Sequence, residues 1–182
     1  MSTSSPRPGG AARQALPPLA RRARRDVAAA RLPALGLHHL AELNIARLRS
    51  PLDSPELADF VALLPEVNGL AERTPGYVWR LQDESGDATA LRPFDPDVIV
   101  NLTVWESVES LRAFLYRTAH LEPMRRRRDW FVPLGDHHLV LWWIPAGTLP
   151  TIEEAADRLE LLRRGGPSAE AFTLREPHAS AL

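Results

Sequence analysis

The sequence predicts an α+β domain of ferredoxin-like order, β-α-β-β-α-β, with one further helix near its C-terminal end. Three observations carry this prediction. Four stretches either alternate in polarity or are dense in β-branched and aromatic residues, as strands are. Two stretches between them, and a third after the last strand, space their apolar residues as a helix does and open with capping residues. The predicted sheet is apolar on both faces, which asks for cover on each side.

The first strand is read at 37–46 (LHHLAELNIA). Leu37, His39, Ala41, Leu43 and Ile45 make an apolar face, and His38, Leu40, Glu42, Asn44 and Ala46 a more polar one. Ser54 is placed to cap a helix with Pro55 at its first position, where a missing N–H costs nothing. Its stripe is Leu57, Phe60, Val61, Leu64 and Val67; Pro65 is expected to kink or interrupt it, and Thr74-Pro75-Gly76 to end it. The second strand is 77–82 (YVWRLQ), followed by a long polar connection over 83–97. In the third strand, 98–105, Val98, Val100, Leu102 and Val104 form one face and Ile99, Asn101, Thr103 and Trp105 the other. Ser107 caps a second helix with the stripe Leu111, Phe114 and Leu115. Pro123 and the run Arg125 to Arg128 then read as a short basic segment, with a turn at 133–136. The fourth strand, 137–144 (HHLVLWWI), is apolar on both faces. Thr151 and Glu154 form a capping box for a third helix, lined by Ile152, Ala155, Ala156, Leu159 and Leu162 and ended by Gly165-Gly166. An extended arm is expected over 171–175. Helices on one face leave the other bare, and a second copy of the chain is the simplest cover, giving a homodimer.

Composition narrows the function. Hydrophobic residues make up 45% of the 182, enough for an ordinary core. Cysteine is absent, which removes disulfides, thiolate metal sites and thiol catalysis. Residues 1–36 hold seven Arg against Asp26, a net +6, so the rest of the chain carries −7. The predicted division is a disordered basic tail over 1–36, the folded domain over 37–177 and a flexible C-terminus over 178–182. No apolar stretch of the signal-peptide kind follows the arginines at 21–25. An organelle leader and a translation start near Val27 stay open as alternatives for the tail. The acidic domain argues against a nucleic-acid partner, and no apolar run is long enough to cross a membrane. A cytoplasmic location is expected.

The stretch 98–131 (VIVNLTVWESVESLRAFLYRTAHLEPMRRRRDWF) resembles the strand–helix signature of dimeric α+β barrel proteins. These include antibiotic-biosynthesis monooxygenases and the related heme-degrading monooxygenases. HLAELNIARLRSP, PGYVWRLQDE, LVLWWIPAG and EAFTLREP together are more closely similar to an uncharacterised bacterial family of that superfamily, over 37–177. The resemblance implies a homodimeric barrel and no particular reaction. In the heme-degrading relatives an Asn on the first strand acts with a Trp and a His on the second helix. Asn44 falls at the Asn position, Phe114 where the Trp would stand, and His120 nearest the His, across a connection four residues shorter. On an unbroken helix, about 100° per residue puts His120 opposite the Leu111, Phe114 and Leu115 stripe. No cofactor is therefore expected, with heme the lesser alternative.

The functional expectation is a pocket for a small apolar or aromatic ligand. By resemblance, the activity would be a cofactor-independent monooxygenase acting on an aromatic or polyketide-like substrate, with Asn44, Trp105 and His120 as orienting or proton-transfer groups. Glu42, Trp79, Asn101, Thr103, Phe114, Tyr116 and Trp142 would line the ligand. Glu42 is the one carboxylate inside the first strand; burial would raise its pKa and fit it for acid or base work, while a rim salt bridge to Arg80 is the plainer role. The strand tryptophans equally suit core or interface packing. His38-His39 and His137-His138 are adjacent on strands, so neither pair can grip one metal, and no metal is expected. The Arg run suits a solvated segment with one or two salt bridges across the dimer better than an anion site. The competing class is a non-enzymatic ligand sensor or interaction dimer.

Overall fold

The computed structural model describes residues 37–180. These form an antiparallel sheet of β1 (His38–Leu48), β2 (Tyr77–Arg80), β3 (Val98–Trp105), β4 (Phe131–Val132) and β5 (Leu139–Pro145). The helices are α1 (Ala58–Arg73), α2 (Val108–Arg117), α3 (Leu121–Trp130) and α4 (Ile152–Gly165). Strands run in the order β2-β3-β1, and the far edge of β1 is shared. β5 pairs with β1 along 38–44, and β4 pairs with it at Arg47 and Leu48. With β5 as the closing strand this is the expected ferredoxin-like order, so the α+β fold class holds.

The alternation read from the sequence sorts the two faces. Leu40, Trp105, Leu141, Leu48 and Ile99 lie under α1, α2 and α3. Ala41, Leu43, Ile45, Val98, Val100, Leu102, Val104, Val140 and Trp142 lie on the opposite face. That second face is not bare. Ala155, Leu159 and Leu162 of α4 pack on it, together with Ala88, Leu91 and Phe94 of the 83–97 connection. Each Val or Leu so buried contributes about 1.5–3 kcal/mol of transfer free energy. The reason for invoking a second copy, an uncovered sheet face, is therefore met within one chain.

Local signals held at two caps. Ser107 accepts from the Ser110 N–H and Thr151 from the Glu154 N–H, each at 3.1 Å. Ser54 makes no such side-chain bond, because Pro55–Leu57 forms a 3-10 turn before α1 begins. α1 continues through Pro65, whose exposed position lets water serve the carbonyl left unpaired in the preceding turn. The Arg run is helical, as part of α3, rather than a loose segment. The extended arm is present at one point, where Phe172 and Leu141 exchange both backbone hydrogen bonds at 2.9 Å. The chain stays packed to His178, whose carbonyl accepts from Trp143 Nε1 at 2.8 Å. The basic tail at 1–36 lies outside the described residues. No helix among the described residues is long and apolar enough to cross a membrane.

Candidate functional site

Two apolar clusters sit on the face beneath α1, α2 and α3. One gathers Leu40, Trp105, Phe114, Leu115 and Phe172; the other gathers Leu48, Leu57, Ile99 and Trp130. Between them the sheet presents a polar row. Antiparallel pairing sets Glu42 opposite Thr103 and Asn44 opposite Asn101, on the same face. Asn101 is exposed although β3 is an interior strand, so solvent reaches the sheet at this gap. Above the clusters a groove of about 230 Å³ runs between α1 and the start of α3, lined by apolar Leu63, Val67, Leu70, Ala119 and Pro123 and by charged Glu66, Glu122 and Arg126. Leu63 packs on one cluster and Val67 and Leu70 on the other, so the groove straddles the same gap.

Glu42 is only 3% exposed and Thr103 4%. Thr103 Oγ1 donates to Glu42 Oε2 at 2.6 Å, and Trp105 Nε1 donates to Thr103 Oγ1 at 2.8 Å. Burial pushes the Glu42 carboxyl up to about 7, against the smaller opposing pull of the Thr103 hydrogen bond. The carboxyl thus changes charge near neutrality. Arg80 does not neutralise it. That guanidinium donates to Glu72 Oε1 and to the Gly86 carbonyl, both at 2.8 Å.

His120 reaches this face by a break the periodicity did not show. α2 stops at Thr118, whose backbone is extended and whose hydroxyl donates to the Phe114 carbonyl at 2.6 Å. The His120 N–H in turn donates to Thr118 Oγ1. His120 therefore folds back toward the stripe instead of facing away. Its ring stacks on Phe114 at 4.5 Å and 11°, and Phe114 stacks on Trp105 at 5.3 Å. Burial pushes the imidazole down to about 4, and its Nδ1 has no hydrogen-bond partner.

The structure thus brings together Glu42, Asn44, Asn101 and Thr103, with Trp105, Phe114 and His120 at one end of the row. It separates three others. Trp79 and Trp142 lie on the α4 face, because strand alternation sends them there; Trp142 Nε1 donates to Glu154 of α4 at 3.0 Å. Tyr116 is 53% exposed on the outer side of α2. Arg126 is engaged by Asp59 at 3.1 Å and Asp129 at 3.3 Å and lies over the Trp130 ring, so its ion pairs form within the chain. No group of three or more metal-ligating side chains occurs among the described residues. The groove residues Leu63, Leu70, Ala119 and Pro123 went unread; only the α1 stripe hinted at Leu63 and Leu70, and nothing marked the α3 wall.

The family described as a domain of unknown function (DUF3291) matches residues 39–181, from the start of β1 onward. The chain belongs to this family. No curated protein matches it. Among solved structures, it is similar to a protein of unknown function from Nitrosomonas europaea, with 19% identity, 63% of this chain and 97% of that one covered, and a TM-score of 0.40. It is similar to SnoaB, a cofactor-independent oxygenase from Streptomyces nogalater, at 16% identity, 63% and 96% coverage and a TM-score of 0.39. MupZ from Pseudomonas fluorescens gives 14% identity, 80% and 95% coverage and a TM-score of 0.38.

Proposed function

We propose that this protein binds a small apolar or aromatic molecule over the row Glu42, Asn44 and Asn101, and that Glu42 moves a proton to or from it. The observation that carries this is the exposure of Asn101 on an interior strand, one row away from a buried carboxyl poised near neutrality. A carboxyl with that pKa accepts and returns a proton at little cost around pH 7. Asn44 and Asn101 supply both donors and acceptors to orient a carbonyl or hydroxyl. The apolar groove walls suit the remainder of such a ligand. The finer reading is a cofactor-independent monooxygenase, in which Glu42 draws a proton from an acidic CH2 and the carbanion adds dioxygen to give a peroxide. Loss of water then leaves a carbonyl at that carbon, so that one oxygen enters the substrate, the other leaves as water and the substrate supplies all four electrons. This reading rests on the buried base and on the sequence resemblance, and the site as described calls on no metal or heme.

The test is oxygen uptake with planar aromatic ketones bearing an acidic C–H, run beside quenching of tryptophan fluorescence. Uptake and quenching in the unmodified protein, with quenching kept and uptake lost in Glu42→Gln, is the expected result. Neither signal with any such compound sinks the proposal. A second reading, a ligand sensor without chemistry, draws on one observation. Trp105, Phe114 and His120 fill the space at one end of the row, leaving a groove below the roughly 300 Å³ usual for small-molecule sites. Quenching without uptake in both proteins selects it.

A further inference from the structure

The hydrogen bonds at Glu42 have a direction. An indole N–H can only donate, so Trp105 Nε1 gives its hydrogen to Thr103 Oγ1. The Thr103 hydroxyl hydrogen then has a single acceptor among the described residues, Glu42 Oε2 at 2.6 Å. If Glu42 donated from Oε2 instead, that hydroxyl hydrogen would be stranded in a buried site, at a cost of about 1–3 kcal/mol. We infer that Glu42 Oε2 is a fixed acceptor, that the transferable proton of this carboxyl is carried on Oε1, and that Thr103 and Trp105 are positioning residues which impose this. The functional meaning of the inference rests on the proton-transfer reading of Glu42; the geometry does not.

The arrangement follows from strand register. Thr103 and Trp105 are two apart on one face of β3, and Glu42 stands directly opposite Thr103. A slip of one residue would turn Glu42 to the α4 face and dissolve the relay. Other ionisable groups on this side of the sheet are few. Arg80 stands across Thr103 on β2 and is held by Glu72. Tyr77 lies edge-on to Trp105, its phenol pushed up by burial, and His120 lies beyond Phe114. Neither Tyr77 nor His120 changes charge in the range where Glu42 does. His38 on the same face of β1 and His178 against Phe172 also lie on this side, so the part of the Trp105 signal that disappears in Glu42→Gln is the part that reports Glu42.

The test uses the full chain without ligand, with ¹³C-labelled glutamate carboxyls and ¹⁵N-labelled indoles followed by NMR across pH. The Glu42 signal is assigned by its loss in Glu42→Gln and the Trp105 indole signal by its loss in Trp105→Phe. The expected result is that the Trp105 indole N–H shifts with the same midpoint as the Glu42 carboxyl. Thr103→Val should uncouple the two and move the Glu42 midpoint up by about one unit, since a donor to the charged form is gone. Thr103→Ser should restore both. An indole indifferent to pH while Glu42 titrates overturns the inference, as does an unmoved midpoint in folded Thr103→Val. The co-titration in the unsubstituted protein decides the matter even where Thr103→Val does not fold. Because no ligand is used, co-titration without oxygen uptake or quenching refutes the functional reading alone. Uptake without co-titration refutes the positioning inference alone.

Discussion

Gly76 shows how much one residue can hold. It has φ of 84°, and a Cβ there would collide with the Ser110 side chain at the start of α2. Its carbonyl also accepts the Glu106 N–H at 2.7 Å. Gly76→Ala should therefore cost about 2–4 kcal/mol, from the left-handed backbone and the overpacking together, read as a lowered urea midpoint. Glu42 and His120 oppose one another in pH dependence. Glu42 binds its proton more tightly when folded, so its contribution is full below about 4.5, declines as pH rises toward 7 and is absent above. His120 binds its proton less tightly when folded, so its contribution is full above 6.5 and is lost as pH falls toward 4. Each amounts to about 3 kcal/mol across its window, and between 4.5 and 6.5 the slopes cancel. Glu42→Gln should leave stability that rises with pH through that range, and His120→Phe stability that falls. Urea midpoints at pH 4.5, 5.5 and 6.5 check both, and parallel flat profiles would contradict the assignments. The raised pKa of Glu42 was legible in its place inside a strand. Its partner was not: the expected salt bridge to Arg80 does not form because Glu72 of α1 takes that guanidinium, and helix-to-strand pairings leave no periodic trace.

At the level of elements, Pro65 leaves α1 one hydrogen bond short on an exposed face. Pro65→Ala should add about 1–3 kcal/mol, seen as a higher melting temperature with an unchanged fold. Leu159 is fully buried where α4 meets the sheet, so Leu159→Ala should cost about 2–5 kcal/mol. The strands, their faces and two helix caps could be read directly, because alternation and capping are local. What α4 packs against could not be read. Its stripe of Ala155, Leu159 and Leu162 says which side is buried but not which surface buries it, and so the second sheet face was read as bare. The break at Thr118 was hidden for a related reason. Thr is unremarkable inside a helix, and only its bond to the Phe114 carbonyl and the return of His120 onto Phe114 reveal the stop.

For the whole molecule, both sheet faces are covered within residues 37–180, so neither face by itself calls for a second copy. Leu159→Glu should loosen α4, bare the apolar face beneath it and drive self-association, seen by light scattering as a mass above that of the unsubstituted protein. A rise in mass for the unsubstituted chain that Leu159→Glu abolishes would reverse this view. The shared edge of β1 also sets the order of assembly. β1 is the first made of the described strands, yet its partners β3 and β5 follow about sixty and about a hundred residues later, by the pairs Glu42 with Thr103 and Glu42 with Leu141. During synthesis β1 therefore waits with both edges open until β3 emerges and with one still open, Leu40, Leu43 and Ile45 incompletely covered, until β5 has left the ribosome. Loops of that length close slowly, so refolding should take milliseconds to seconds. The same strand that anchors the mature sheet is thus the segment most in need of shelter while the chain is being born.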